Sequence, residues 1–578
     1  MPLPVLFLIP ARGGSRRIPA KNLQTVAGIP LVARAIRIAH RAAATIPDGP
    51  HAVVVSTDDP SIAELAREWH AEVPFPRPAD LATDDARSVD VVLHALESLR
   101  AAGRRFRCVV LVQPTSPLTD PADIAAAVGL LDGGGVRAAV SVVRSHPATW
   151  HVRPADGPTA PLTSVTERGD LLLTGAFYAI DPELLAAQRR FLPPGATVGV
   201  EVAAERSIDI DQPIDLVIAE SLARAMPVPD LRIGDRTIGD GRPALVIAEA
   251  GVNHDGDLDV AHRLVDLAAD SGADAVKFQT FDPEALAAAG APLAEYQAHG
   301  AAATDQRAML ARLALPSDSW AGLQRHALDR GILFLSSPFD AAAADLLEGL
   351  DVPALKVASG ELTNHPLLAH LAAKRRPLLV STGMADIREV AEALDVIAAA
   401  GDPPVGLFHC VSSYPAPPSD ANLRAIPTLR AAFGRPTGWS DHSLGIELPV
   451  AAAALGSALL EKHLTLDRGR SGPDHGASLE PDEFRRMVAE VRSVESALGD
   501  GKKVPTQDEL ETAAVARRSL HWRRDLEAGS TVEPDDLVVL RPGTGMPPSA
   551  IGRVTGRRLT RAVRAGRAVE ASDLDGLP

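Results

Sequence analysis

Eight short apolar runs, most of them separated by helical segments, fill the middle of this chain and restrict its fold more than any other feature. They are LVIAEAG (245–251), AVKFQ (275–279), ILFLSS (332–337), ALKVAS (354–359), PLLVST (377–382), VGLFHC (405–410), PTGWSDH (436–442) and LLEKHL (459–464). Parallel strands covered on both faces read as such continuous runs, and eight strand–helix units suggest a closed (β/α)8 barrel. A long insertion between the second and third runs is the main irregularity. Barrels of this kind place their active sites at the C-terminal strand ends. Those ends carry Glu249, Lys277, Ser336, Lys356, Ser359, Glu361, Ser381, His409, His442, Glu461 and His463. Core strands rarely end so consistently in ionisable groups for structural reasons alone, so the pattern points to an enzyme.

Residues 1–225 form another alternating series, with strands expected at VLFLIP (5–10), AVVVS (52–56), VVLVQP (109–114) and AAVSVV (138–143). This predicts an open α/β domain with a largely parallel sheet. The Pro- and Gly-rich stretch 226–244 reads as a linker with a short hairpin at RIGDRTIGDGR. The barrel is expected over 245–500, a second linker over 501–516, and a small β-rich domain over 517–578, where Arg and Gly become frequent. A chain of 578 residues needs several cores in any case.

The net charge of −16 and the absence of a long basic stripe argue against nucleic acid and anionic membranes as partners. Small anionic substrates stay open, because one converging set of Lys and Arg reverses the field locally. Cys108 and Cys410 are the two cysteines, and both sit in strand-like runs expected to be reduced and buried. The N-terminal MPLPVLFLIPARGG has no basic segment ahead of its apolar run and reads as a first strand rather than a signal peptide. No apolar run approaches the ~20 residues that span a bilayer. A cytoplasmic protein is expected.

In the first domain, strand one runs into IPARGGSRRIPAKN (9–22). A Gly-rich turn there lets backbone N–H groups approach phosphates, with Arg12, Arg16, Arg17 and Lys21 supplying charge. The alternative is a solvated basic loop. In SIDIDQPIDL (207–216), Asp209 and Asp211 share one face of an extended segment, where they are able to hold Mg²⁺ against a nucleotide phosphate or simply form an acidic turn. Together with PRPADLATD (76–84), QPTSPL (113–118) and GAFY (175–178), these segments resemble the CMP-sialic acid synthetase family of cytidylyltransferases across nearly all of residues 1–225. The resemblance implies that Arg12, Ser15, Arg16, Lys21 and Asn22 hold CTP and that Arg77 lies near the nucleotide. It implies that Gln113 and Tyr178 face the sugar and that Asp209 and Asp211 bind Mg²⁺. The sequence departs from the family with Arg16-Arg17 in place of Lys-Gly and Thr174 in place of Asn. The implied reaction is attack of a sugar anomeric hydroxyl on the α-phosphate of CTP, with pyrophosphate leaving.

In the barrel, His442 and His463 end the last two neighbouring strands, so their imidazoles are placed to converge on one ion. Two His with open positions for oxygen ligands suit Mn²⁺ or a similar divalent metal better than a closed zinc site. A packed or surface role is the alternative for any single His, and His409 and Cys410 are read as a structural strand end. Lys277 and Lys356 with Ser359 and Ser381 make an anionic pocket for phosphate and carboxylate, or one lysine serves as a Schiff base. The phrases IAEAGVNHDG, ADAVKFQ, KVASGEL, STGM, HCVSSYP, GWSDHSLG, LEKHLTLDRGRSGPDHGASLEP and RRSL resemble the sialic acid synthase family from about 231 to 578, including its antifreeze-like C-terminal (SAF) domain. The resemblance implies condensation of phosphoenolpyruvate with an open-chain N-acetylated mannosamine-type aldehyde, with phosphate released by C–O cleavage. By the same resemblance His442 and His463 bind the metal, Lys277, Lys356, Ser359 and Ser381 hold phosphoenolpyruvate, and Ser412 and Tyr414 are substrate-binding. Ser412 stands where some relatives carry Asn. Glu249, Glu361, Glu461 and Asp474 orient the sugar or its attacking water. Arg541 is expected to reach the sugar site of a partner subunit in a domain-swapped homodimer.

The first reaction's product is the second's substrate, so a bifunctional enzyme making a CMP-activated nine-carbon sugar acid is expected. A 6-deoxy sugar of legionaminic or pseudaminic type and a degenerate binding protein are the alternatives.

Overall fold

A computed structural model describes residues 3–577, apart from 48, 50, 146–149, 152–162, 165–169, 295–296, 298–302 and 304. It divides into two compact units, Met1–Ala497 and Leu498–Pro578. The first unit opens with a six-stranded sheet of Val5–Pro10 (β1), Ala52–Ser56 (β2), Cys108–Val112 (β3), Ala138–Arg144 (β4), Leu171–Ile180 (β5) and Thr197–Glu201 (β6), in the order β6-β4-β5-β3-β1-β2. All neighbours run parallel except β5, which is antiparallel to both β3 and β4. The four strands expected from sequence are present; β5 and β6 are additions. The apolar pattern of β5 breaks at Thr174-Gly175, opposite a register shift between Val140 and Val142, which hides it from a reading by periodicity.

The eight expected central runs close into a parallel barrel: Leu245–Gly251 (β7), Ala275–Thr280 (β8), Leu333–Pro338 (β9), Leu355–Val357 (β10), Leu378–Ser381 (β11), Val405–Cys410 (β12), Thr437–Asp441 (β13) and Leu459–His463 (β14). Their helices bury long apolar faces, as in Leu258–Asp270, whose Val260, Ala261, Leu264, Val265 and Ala268 all pack inward. Asp257 begins that helix by accepting from the N–H groups of Asp259 and Val260. The insertion between β8 and β9 forms helices Pro283–Leu286, Gln306–Leu313 and Ser319–Asp329.

The linker contains the expected hairpin, Leu231–Ile233 paired antiparallel with Arg236–Ile238. It does more than connect. Leu231, Ile233 and Ile238 join Leu245, Ile247, Ala275, Leu379, Phe408 and Leu459 in one apolar cluster, so the hairpin stoppers the barrel where its strands begin. The α/β sheet domain and the barrel also share a core. Helix Leu31–Thr45 and its neighbours belong to a cluster that takes in Ala391 and Ala432 from two barrel helices, Ile387–Ala400 and Ala425–Phe433.

The second unit pairs Ser519–Trp522 (β15) with Leu537–Leu540 (β16) and adds short bridges and turns around Leu520, Trp522, Val532, Leu559, Val563 and Val569. No described helix is long and apolar enough to cross a membrane.

Ile233 is fully buried in the hairpin's contact with the barrel floor. Ile233→Ala should cost about 2–5 kcal/mol in urea unfolding; a change within about 0.5 kcal/mol would show that the hairpin contributes nothing to the barrel.

Candidate active sites

Two cavities in the first unit gather most of the residues singled out from the sequence. The larger array stands at the C-terminal ends of the barrel strands, around a cavity of about 510 Å³. Its lining includes Glu249, Lys277, Lys356, Ser359, Glu361, Ser381, Ser412, Tyr414, His442, Glu461, His463 and Asp474. Register explains part of this convergence: Glu249 on β7 lies opposite Lys277 on β8 and His463 on β14. A one-residue slip would turn each of these side chains out of the barrel.

The floor of this cavity is a buried chain of alternating charges. Lys277 Nζ lies 2.7 Å from Glu249 Oε2 and 3.8 Å from Glu461 Oε2. Lys356 Nζ lies 3.2 Å from Glu461 Oε1 and donates to Ser381 Oγ at 2.7 Å. Ser440 Oγ donates to Glu461 Oε1 at 2.9 Å. Burial pushes the Glu249 carboxyl up to about 7 against the pull of Lys277, and the nearby Glu461 charge adds to the rise. Burial also opposes ionisation of Glu461, but Lys277 and Lys356 outweigh it and hold this carboxyl below the ordinary range. Burial lowers Lys356, whereas the two carboxylates around Lys277 overcome burial and raise it.

On the neighbouring wall, the rings of His442 and His463 meet edge to face, with centroids 5.5 Å apart and planes inclined by 61°. His442 Nδ1 lies 2.7 Å from the Val411 carbonyl, so it carries the proton and leaves the Nε2 lone pair turned to Tyr414 OH at 3.2 Å. His463 Nδ1 is buried with no hydrogen-bond partner among the described residues, and Asp474 Oδ2 stands 3.8 Å away. Burial holds His442 at about 4 and His463 well below its ordinary value, so both imidazoles are neutral at pH 7. Neutral rings with free lone pairs suit a metal ion. Among the described residues no three His, Cys, Asp or Glu side chains form a ready-made metal group, so further ligands would have to be water or substrate oxygens. Asp474 is pushed up to about 6 by burial, against the pull of His475 and Lys277.

The second cavity, of about 610 Å³, lies at the C-terminal edge of the sheet in the first domain. Arg12, Ser15, Arg16, Lys21, Asn22, Arg77, Gln113 and Asp211 line it. The 11–17 loop needs glycine at Gly13, because a Cβ there would come within 2.4 Å of Asp59 Oδ2. Asn22 Nδ2 ties the loop to the Arg12 carbonyl at 2.9 Å. Arg77 donates from Nε to Ser56 Oγ at 3.2 Å, and its burial lowers it to about 10. Lys21 Nζ lies 3.3 Å from Asp211 Oδ1. Loss of hydration raises Asp209 against the pull of a hydrogen bond from Thr115, and the charge of Asp211 adds to that rise. Asp209 and Tyr178 are not among the residues lining the cavity; Tyr178 instead packs its ring against Phe191 at 4.9 Å.

Family comparisons agree with this division. A cytidylyltransferase model matches residues 6–145, a NeuB family model 264–503 and a SAF domain model 517–575. The N,N'-diacetyllegionaminic acid synthase of Legionella pneumophila is 44% identical over 342 residues, covering 58% of this chain and 95% of the relative. The chain belongs to the NeuB family. The N,N'-diacetyllegionaminic acid synthase of Campylobacter jejuni is 41% identical, covering 53% of this chain and 92% of that protein. The N-acetylneuraminate-9-phosphate synthase of Mus musculus is 36% identical, covering 56% and 90%. This NeuB-family synthase is fused to an N-terminal cytidylyltransferase domain and a C-terminal SAF domain, an arrangement for biosynthesis of nonulosonic acids.

Several residues of the NeuB barrel escaped the sequence reading. Ser337, rather than the expected Ser336, accepts a hydrogen bond from Lys277 Nζ at 3.2 Å and lines the cavity. Ser336 is turned to Thr280 at 2.8 Å, because adjacent residues on a strand face opposite ways. Gln279 donates to Glu249 Oε1 at 3.1 Å. Met309, Leu310 and Leu313 of the insertion supply an apolar wall that no motif announced. His409 is structural, donating from Nε2 to the Ala421 carbonyl at 2.9 Å, and Cys410 Sγ supports Ser359 Oγ from behind at 3.0 Å. In the cytidylyltransferase domain Asp84 pairs with Arg12 and Arg16; it closes the PRPADLATD phrase, which was the available signal. Arg541 is exposed and belongs to the second unit.

Beneath the two imidazoles, Lys462 and Asp441 form a fully buried ion pair at 2.6 Å, and Ser443 also donates to Asp441. Lys462→Met leaves the Asp441 charge buried and unpaired, which should cost about 3–5 kcal/mol in chemical unfolding, while the double variant Asp441→Asn/Lys462→Met should recover much of it. Equal losses in the single and double variants would show that the pair is not what holds this layer together.

Proposed function

We propose that the barrel condenses phosphoenolpyruvate with the open-chain aldehyde of an N-acetylated mannosamine-type sugar. The cytidylyltransferase domain then joins the resulting acid to CMP. The observation that carries this reading is the pairing of two neutral, adjacent imidazoles with the Lys277–Glu461–Lys356 charge chain in one cavity. In the first reaction C3 of the enol ester bonds to the aldehyde carbon, water adds at C2, and the C2–O bond breaks to release phosphate. Lys277, Lys356, Ser359 and Ser381 are suited to hold the phosphate and carboxylate, since they concentrate donors on one side of the cavity. A divalent ion such as Mn²⁺, bound at His442 and His463, would supply Lewis acidity at the aldehyde oxygen. Glu249, able to exchange a proton near neutrality, is the carboxylate we assign to proton transfer. Glu361, Ser412, Tyr414 and Asp474 are assigned to orienting the sugar.

In the second reaction the anomeric hydroxyl attacks the CTP α-phosphate and pyrophosphate departs. Arg12, Ser15, Arg16, Lys21, Asn22 and Arg77 would hold the triphosphate, and Gln113 and Tyr178 would face the sugar. Asp209 and Asp211 would hold Mg²⁺, which neutralises charge at the reacting phosphate.

A 6-deoxy sugar of the legionaminic type is a second reading, favoured by the higher identity to the Legionella and Campylobacter relatives than to the mouse one. Incubation with phosphoenolpyruvate, CTP, divalent metal and a panel of aldehyde sugars should release both phosphate and pyrophosphate, and the best sugar on the panel chooses between the readings. Release of neither from any sugar would overturn the proposal.

Glu249 also sets a pH dependence. It is mostly neutral below about 7 and ionised above, so the cavity becomes less cationic as pH rises through that value. Phosphoenolpyruvate affinity, compared between wild type and Glu249→Gln from roughly pH 6 to 8, should fall more steeply in wild type. Parallel profiles would remove Glu249 from the electrostatics of binding.

A further inference from the structure

A third cavity, of about 220 Å³, lies where the cytidylyltransferase domain meets the barrel, and neither reaction uses it. Helix Leu31–Thr45 and the Pro117–Thr119 segment wall it on one side, and Arg430, Ala431 and Ala432 on the other. Four arginines line it, Arg34, Arg37, Arg41 and Arg430, with no Asp or Glu among the lining residues. In a chain of net charge −16 that concentration of cations is unusual.

The four differ in what already satisfies them. Arg430 is committed: its Nε donates to Asp240 at 3.1 Å and its Nη1 to the Arg224 carbonyl at 2.9 Å. Arg34 Nε donates to the Val26 carbonyl at 2.8 Å, but its Nη2 is buried without a hydrogen-bond partner among the described residues. Arg37 reaches Asp395 only at 3.4 Å through Nη2, stacks over Phe433 at 5.1 Å, and leaves its buried Nε unpartnered. Burial lowers Arg34 to about 10, with Arg37 adding to the effect against the pull of Glu220; burial likewise lowers Arg37, against the pull of Asp395 and with Arg41 and Arg435 adding to it. Neighbouring guanidinium groups repel, the more so where water is excluded. A single compact oxyanion in the cavity relieves that repulsion.

We propose that this interdomain cavity binds a small phosphoryl oxyanion, inorganic phosphate or pyrophosphate, between Arg34, Arg37 and Arg41. Guanidinium groups match phosphoryl oxygens in charge and in planar geometry. The volume falls below the roughly 300–1,000 Å³ of drug-sized ligand sites, which suits a bare anion and excludes a nucleotide or sugar nucleotide. One loop serves both cavities of the domain, with Gln113, Pro114 and Thr115 lining the larger and Pro117, Leu118 and Thr119 this one. The inference goes beyond the two proposed reactions and does not depend on them.

Equilibrium dialysis of radiolabelled phosphate and pyrophosphate tests it, using the full chain with CTP and phosphoenolpyruvate saturating the two larger cavities. Wild type should bind about one equivalent of at least one anion, and the anion bound identifies the occupant. Arg37→Gln and Arg41→Ala should each weaken binding about tenfold or more, whereas Arg263→Ala, at an exposed position outside this lining, should not. Arg41 is exposed, so its variant keeps the test decisive even if Arg37→Gln fails to fold. Binding of neither anion to wild type, unchanged binding in Arg41→Ala, or an equal loss in Arg263→Ala would overturn the proposal.

Discussion

Four charges buried at the tops of barrel strands, Glu249, Lys277, Glu461 and Lys356, constrain everything around them. Isolated ions do not survive burial, because the loss of hydration exceeds what a lone charge recovers from the interior. Here each sits beside an opposite neighbour, and Ser337, Ser381, Ser440 and Gln279 add hydrogen bonds, while Glu249 Oε2 and Glu461 Oε2 face the lysine charge with no hydrogen-bond partner among the described residues. Such a chain tolerates little displacement, so the strands must close in one register, and the barrel's geometry follows. It also explains why the cavity is receptive to an anion: the lysines hold their charge against local partners that an incoming phosphate or carboxylate is able to rival.

The same logic recurs at the join between the two enzymes. Apolar packing between helix Leu31–Thr45 and the barrel helices continues one core across both domains. At the edge of that core lie His70–Glu392 at 2.9 Å and the Arg430 contacts with the linker. A tether alone would leave two independently moving bodies. A shared core makes the synthase and the cytidylyltransferase one unit and fixes the distance between their cavities.

Much of this was legible in the sequence because strands covered on both faces leave unbroken apolar runs, and because barrel chemistry collects at strand ends. The runs located all eight barrel strands, and their terminal residues located Glu249, Lys277, Lys356, Glu461 and the two imidazoles. What stayed hidden depends on facts that one-dimensional patterns do not carry. Ser336 and Ser337 are adjacent, and only the pleat decides which faces the cavity. The β5 strand breaks its pattern at Gly175. Met309 and Leu313 read as the apolar face of an ordinary helix, and nothing local says which cavity that face closes. The gathering of Arg34, Arg37 and Arg41 with Arg430 around one cavity arises only when two domains meet, so neither domain's sequence announces it.

The Leu231–Ile238 hairpin has a practical corollary for anyone dividing this fusion into its halves. Because it corks the lower mouth of the barrel, it belongs to the synthase although it sits in what looks like connecting chain. A cut placed at the first barrel strand would expose Ile247, Leu379 and Phe408 to water and yield a sticky, weakened fragment, whereas a cut upstream of Leu231 would keep the barrel floor covered.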